Sequence, residues 1–371
     1  MMKLAVLKKI IKLLSWAGAI FKNNESMKDK KVLLLGGAGF IGINIAKYLA
    51  KNRNYEITIA DNFSRGQMDT DLTYLVDEYK IEVIKGDFTI PVTYDVLKKD
   101  YDYVYMLASV VGVNNTLQIP HEIIRINTAL IYNTLEWLRN SSVKKVLFTS
   151  TSECYAGTIE AFGYKVPTPE DIPLSIQDIG HPRFTYAVTK MLGESGFLNY
   201  SRKCGFECTI VRYHNVFGPR MGFKHVIPHL VQRFLANENP FLIYGHDQTR
   251  AFNYITDAVE GTVLAMESDS SNGEIYHIGD STEITIEQLI KTTGSYLGFT
   301  GTYENAPTYP GSVGRRCPDI TKARTQLGYS PKVSWEDGLK ITLDWYKDFY
   351  QSGKQSFEKA FETPTHHLKN G

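Results

Sequence analysis

The chain is poor in cysteine, with four in 371 residues, and Cys154, Cys204, Cys208 and Cys317 form no Cys-x-x-Cys pair. That pattern argues against a zinc site and a disulfide framework, and fits a reduced cytoplasm. Charge of one sign is lacking as well. The 41 Lys and Arg against 40 Asp and Glu leave a formal charge of +1, and no basic patch with interleaved aromatics occurs, so nucleic acid is not an expected partner. Long apolar runs are missing too: the stretch after Lys12 falls short of the about 20 residues a bilayer span needs. His214 and His225 have no neighbours at ligand spacing, so no metal is expected and both read as structural or pocket-lining.

What is present is an alternation. From Lys31 the chain runs KVLLLG, a helix to about Leu49, YEITIAD, a second helical stretch, IEVIKGD, YDYVYMLAS, a long helix around Ile123 to Leu138, and KKVLFTS. Strands spaced by helices imply parallel pairing with helices on both faces, a doubly wound α/β fold of the Rossmann type. The first strand ends in LLLGGAGFIG, with Gly36, Gly39 and Gly42 three apart. Glycines there permit a tight turn and let the backbone approach a pyrophosphate, whose charge the amides of the next helix can meet. Asp61 closes the second strand about 20 residues on, where a carboxylate can bind the adenosine ribose hydroxyls. The same carboxylate would repel a 2′-phosphate, which favours NAD over NADP, with Arg65 as the one opposing charge. Asp87, after the third strand, reads either as a contact to the adenine end or as a helix cap.

Tyr186 and Lys190, in FTYAVTK, stand one above the other on one helix face. A nearby ammonium favours a phenolate, so this spacing predicts a tyrosine whose pKa lies below its reference of about 10 and which can act as a base near neutrality.

Taken together, Gly36-x-x-Gly39-x-x-Gly42, Asp61, the Leu107-Ala108 pair, TSTSECY, Tyr186-x-x-x-Lys190, HNVFGPR and RRCPDITKA resemble the extended short-chain dehydrogenase/reductase family, the NAD-dependent nucleotide-sugar epimerases, dehydratases and decarboxylases. The resemblance runs from about Lys31 to Tyr350. It implies NAD contacts from Gly36, Gly39, Phe40, Ile41, Gly42, Asp61, Asn62, Asp87, Phe88, Leu107, Ala108, Tyr186 and Lys190. It implies Thr151 and Glu153 as catalytic partners of Tyr186 and Lys190. For the nucleotide-diphosphate sugar it implies Arg250 and Arg316 at the diphosphate, Asn215 at the phosphate-sugar region, and Ser152 and Arg220 as further contacts.

The reaction implied starts with oxidation at C4 of the sugar. Thr151-Ser152-Glu153 and the later motifs resemble UDP-glucuronate decarboxylases most. LASVVGVNNTLQIP departs from them by lacking a proline-rich turn and resembles epimerases; Cys154 and Ala156 replace the common Val and Gly. Decarboxylation therefore ranks above C4 epimerisation and dehydration third, with a catalytically silent sugar-nucleotide-binding subunit as the alternative of another class. The expected organisation is an N-terminal extension over 1–26, an NAD-binding domain over 27–212, a substrate domain mainly over 213–350 with interleaved segments, and a flexible tail over 351–371. Residues 1–22 place Lys8, Lys9 and Lys12 on one side of a helix. They stay open as a membrane-surface helix, a helix contacting a partner subunit, or a dispensable extension ahead of Met27. A homodimer in the cytoplasm, with peripheral membrane contact as an option, completes the expectation.

Overall fold

The computed structural model describes residues 30–308 and 313–352; the expected N-terminal helix and nearly all of the tail lie outside them. Strands and helices first alternate: β1 (Lys31–Leu35), α1 (Phe40–Asn52), β2 (Glu56–Asp61), α2 (Thr70–Tyr79), β3 (Glu82–Lys85), a 3-10 turn at Pro91–Val96, and β4 (Tyr103–Met106). Next come α3 (Val113–Gln118), α4 (Pro120–Arg139), β5 (Lys145–Thr151), α5 (Ala156–Phe162), α6 (Thr185–Cys204) and β6 (Glu207–Tyr213). The later part is made of shorter pieces. These are β7 (Val216–Phe217), α7 (Val226–Leu235), β8 (Phe241–Tyr244), β9 (Thr249–Ala251), β10 (Asn253–Tyr254), α8 (Ile255–Glu267) and β11 (Ile275–Ile278). Last are β12 (Glu283–Thr285), α9 (Ile286–Tyr296), β13 (Tyr303–Ala306), β14 (Arg315–Arg316), α10 (Thr321–Leu327) and α11 (Trp335–Gln351).

Seven strands form one sheet in the order β11-β6-β5-β4-β1-β2-β3, every pair parallel. β1 shows why the sheet is covered twice. Val32 and Leu34 belong to one buried cluster and Leu33 and Leu35 to another, because alternate side chains point to opposite faces and both faces here are apolar. The strand order reverses between β1 and β4, which opens a crevice at the carboxyl ends of the strands.

Residue 213 is not a clean cut. After β6 the chain builds part of the second region, then returns through α8 to add β11 beside β6, with Ile275 opposite Ile210. The edge strand of the main sheet therefore comes from well beyond residue 213 in the chain. The aperiodic stretch 157–181 is helical at its start: α5 covers Ala156–Phe162 and stops at Gly163, whose φ of 59° no helix continues through. A helix of two turns is too short to display a period.

Two devices fix α6 against the sheet. Gly193 lets the helix close on β5, since a Cβ there would sit 2.2 Å from Phe148 Cζ. Beside it the buried Arg212 guanidinium donates to both Glu194 oxygens at 2.8 and 2.7 Å, and Ser150 Oγ donates to Glu194 as well. A buried ion pair with its lone pairs filled holds geometry more than it adds stability, and here it ties the Tyr186 helix to the ends of β5 and β6.

Candidate active site

The glycine turn fits a dinucleotide. Gly36 has φ +84° and lies so near β4 that a Cβ would come within 2.5 Å of Ala108 N; at Gly42 a Cβ would meet Gly37 Cα at 2.5 Å. α1 then begins at Phe40 behind Gly39, with no side chain capping its amides, so those donors remain for an anion. Asp61 is held at the strand end by Ala38 N–H at 3.0 Å and Phe63 N–H at 2.8 Å. Burial raises its carboxyl, and those two amides together with Arg220 and Arg65 pull it back. Asn62 is exposed and accepts from Ser64 N at 2.9 Å. Asp87 is exposed and accepts from the amide and hydroxyl of Thr89, a local turn and not a helix cap, since the following 3-10 turn starts behind Ile90 with no side-chain cap, while Phe88 is buried.

The other half of the crevice carries Tyr186 and Lys190. Lys190 Nζ donates to Thr149 O at 2.7 Å and lies 5.8 Å from the centre of the Tyr186 ring. The expected depression of the tyrosine by this lysine is corrected. Burial raises the Tyr186 phenol above its usual value, Cys154 and Glu153 add to the rise, and the opposing influences are Arg65 and the Thr151 hydroxyl. The physical reason is that removing a phenolate from water costs more than the surrounding cations return, and Lys190 gives one of its three donors to a backbone carbonyl. Burial also pushes Lys190 itself down to about 8.

Thr151 ends β5, and its hydroxyl accepts from Glu153 N at 3.3 Å. Ser152 is buried. Glu153 Oε1 receives Arg316 Nη1 at 2.6 Å. Burial pushes this carboxyl up, but Arg316 by charge and hydrogen bond, then Arg183 and Arg250, outweigh it and hold Glu153 below the usual range. Arg250 and Arg316 are brought together by strand register, since β14 pairs with β9 and sets them opposite each other. Arg250 donates to Thr249 O, Gly314 O and Gln248 Oε1. Asn215, at φ +38°, donates from Nδ2 to Ala251 O at 2.9 Å, which places it beside the same strand.

Arg220 is not brought to this group. Its φ of +69° turns it towards the glycine turn, where it pairs with Asp69 and donates to Ala38 O at 3.2 Å. The substrate contact expected of it is replaced by a brace behind the dinucleotide side, because Asp69 supplies the carboxylate that its buried guanidinium needs.

Residues 32–279 match the model of the NAD dependent epimerase/dehydratase family. The chain belongs to that family. A UDP-N-acetyl-alpha-D-glucosaminuronate decarboxylase of Bacillus cytotoxicus is 34% identical over 86% of this chain and 98% of its own. UDP-glucuronic acid decarboxylase 5 of Arabidopsis thaliana is 31% identical over 84% and 88%. Among solved structures, a UDP-glucuronic acid 4-epimerase of Bacillus cereus in complex with UDP-glucuronic acid and NAD superposes with a TM-score of 0.74 at 28% identity, covering 86% of this chain and 100% of that one. The family member is thus an NAD-dependent enzyme acting on nucleotide sugars, and the glycine turn, uncapped α1 and Asp61 are the residues here that fit NAD.

Two features of the site, and the approach of Arg65 to Tyr186, went unread in the sequence. Arg183 stands three residues before Tyr186 and faces Glu153 and Arg316. Arg65 extends between Asp61 and Tyr186, against Gly222. Tyr155 hydrogen-bonds His214 Nε2 at 2.8 Å, with the His277 ring centre 4.9 Å from that of His214. The Arg183 signal was present as an i, i+3 spacing to Tyr186, while the other two depend on tertiary contacts.

Proposed function

We propose that this enzyme decarboxylates a nucleotide-diphosphate hexuronate through a 4-keto sugar. The observation carrying that reading is the Glu153–Arg316 pair at the end of β5, 2.6 Å apart, within the same cleft as Tyr186. Interconversion at C4 alone calls for one acid-base group; a charged pair alongside it suits a reaction that also moves charge at C5.

NAD, when bound, supplies reversible acceptance of a hydride from C4. Tyr186 takes the C4 hydroxyl proton while the Thr151 hydroxyl orients the same oxygen. The resulting ketone is β to the C6 carboxylate. The C5–C6 bond breaks, its electron pair moves into the C4 carbonyl, and carbon dioxide leaves. Tyr186, now protonated, donates to the enolate oxygen, which is where negative charge develops. A proton taken up from solvent water is delivered at C5 and restores the ketone, and Tyr186 returns its proton to the oxygen as the hydride first taken from C4 comes back to it. Asn215 and Arg250 are the donor and cation assigned to the diphosphate in this reading.

Epimerisation at C4 is the second reading, favoured by the segment from Leu107 to Pro120 and its lack of a proline-rich turn. The test is product mass after incubation of the NAD-loaded protein with UDP-glucuronate, UDP-N-acetylglucosaminuronate and UDP-glucose in turn. Loss of carbon dioxide from either uronate is expected. Unchanged mass with inversion at C4 by NMR would overturn decarboxylation in favour of the second reading.

A further inference from the structure

Among the described residues, Arg183 is a cleft cation with no work assigned. It sits in the 3-10 turn Pro182–Phe184 that leads into α6, and its backbone amide donates to His181 Nδ1 at 3.2 Å. Its Nε is fully buried without a partner, and its guanidinium makes no hydrogen bond or ion pair among the described residues. Arg316, only 6% exposed, keeps Nε and Nη2 in the same condition, having given Nη1 to Glu153. Arg250 differs, since its donors are engaged with Thr249, Gly314 and Gln248. A guanidinium does not shed its proton, and a buried charged donor left unmade is expensive, so an anion between the two arginines would complete this arrangement.

Chain position says which anion. Arg183 is three residues from Tyr186 and both enter the cleft from the start of one helix, so a ligand of Arg183 lies close to the atom on which Tyr186 acts. In a hexuronate the C6 carboxylate is two bonds from C4, whereas the diphosphate hangs from C1 across the ring. The neighbouring helix α3 packs on the Pro182–Phe184 turn and steadies it. We infer that Arg183, together with the spare donors of Arg316, holds a carboxylate on the sugar ring and makes this enzyme prefer sugar acids over neutral sugars. This rests on the hexuronate reading of the site and adds the residue that enforces it.

The carboxylate is present in the ground state and its charge departs as carbon dioxide forms. Arg183 therefore strengthens substrate binding more than it favours the transition state, and its loss shows in KM and not in kcat.

The experiment measures binding by calorimetry in the NAD-loaded Tyr186→Phe protein, with and without Arg183→Gln, using UDP-glucuronate, UDP-glucose and UDP. With Arg183 present, UDP-glucuronate is expected to bind at least about 10-fold more tightly than UDP-glucose, the effect of one charged hydrogen-bonded pair. Arg183→Gln brings the two within about twofold and leaves UDP unchanged. Parallel weakening of all three ligands would make Arg183 a diphosphate contact, and an unaltered preference would make it structural; either overturns the inference. Arg183→Lys carries the test should the glutamine variant fail to fold, with an intermediate preference expected because an ammonium cannot make the forked contact; an unchanged preference or parallel weakening in it counts against the inference in the same way. Kinetics of Arg183→Gln should show a raised KM for the uronate with kcat retained. Preference for UDP-glucuronate without release of carbon dioxide from it by the wild type would sink the decarboxylase reading and leave this one standing.

Discussion

Glu153 Oε1 and Arg316 Nη1 meet at 2.6 Å across a gap of 163 residues in sequence, and that contact joins the end of β5 to the last short strand of the substrate side. Arg316 is nearly buried while the Glu153 side chain keeps 25% of its surface, so the carboxylate is the partner that opens onto the cleft. The pair therefore couples the reacting end of the site to the arginines set opposite each other by β9 and β14.

Glu153→Gln keeps the shape and removes the charge. It should lower kcat about 100-fold or more, the usual worth of a positioned acid-base group, while NAD affinity by calorimetry stays within about twofold. An unaltered kcat would leave Glu153 as a tether for Arg316 alone.

Tyr186→Phe should remove turnover to below about one part in a thousand, with NAD binding nearly intact; retained activity would refute the assignment of the base. The pH profile gives a finer check. A base must lose its proton, so kcat/KM rises with pH towards the phenol's pKa, which burial sets high. Glu153 raises that pKa and Arg65 lowers it. The ascending limb should then move to lower pH in Glu153→Gln and to higher pH in Arg65→Met. Shifts in the same direction for both variants would exclude this electrostatic account.

The parts legible in the sequence were those with local signatures. Apolar runs separated by helical patterns specified the parallel sheet, and the spacing of Gly36, Gly39 and Gly42 before a helix specified the turn that Ala108 closes upon. What was not legible depends on distant partners. Arg220 sits in a family motif but finds Asp69, 151 residues away, and no local pattern reports that choice. Tyr186 and Lys190 have the right spacing, yet whether the phenol's pKa falls or rises is decided by how much water the surrounding fold removes.

Lys190 offers a stability test. Burial pushes its ammonium down to about 8 in the folded protein, against about 10.4 in an unfolded chain. Between those values the unfolded chain binds more protons, so stability rises as pH increases from about 8 to about 10.4, and below about 8 the full cost of the buried charge is present, on the order of 3 kcal/mol. Lys190→Met should accordingly be more stable than the wild type at pH 7, and its lead in melting temperature should shrink by pH 9.5. A lead that is constant with pH would show that the ammonium is not strained by burial.

The outward faces of α4 and α6 carry Ile124, Tyr132, Val188 and Leu192, each exposed by between 37% and 58%. The two helices pack against each other, so these side chains extend along one paired surface, and single exposed apolar residues are common where a cluster on one face is not. We propose that a second copy of the chain covers it, giving four helices around a two-fold axis, because a self-complementary apolar face is what an isologous contact requires. Leu192→Asp places a charge at the centre of that contact and should shift sedimentation from dimer to monomer. Its effect on the melting temperature of the monomer should be small, since Leu192 is 47% exposed and lies outside the core. A wild-type chain that sediments as a monomer across the micromolar range would remove the proposal, and so would a Leu192→Asp variant that stays dimeric.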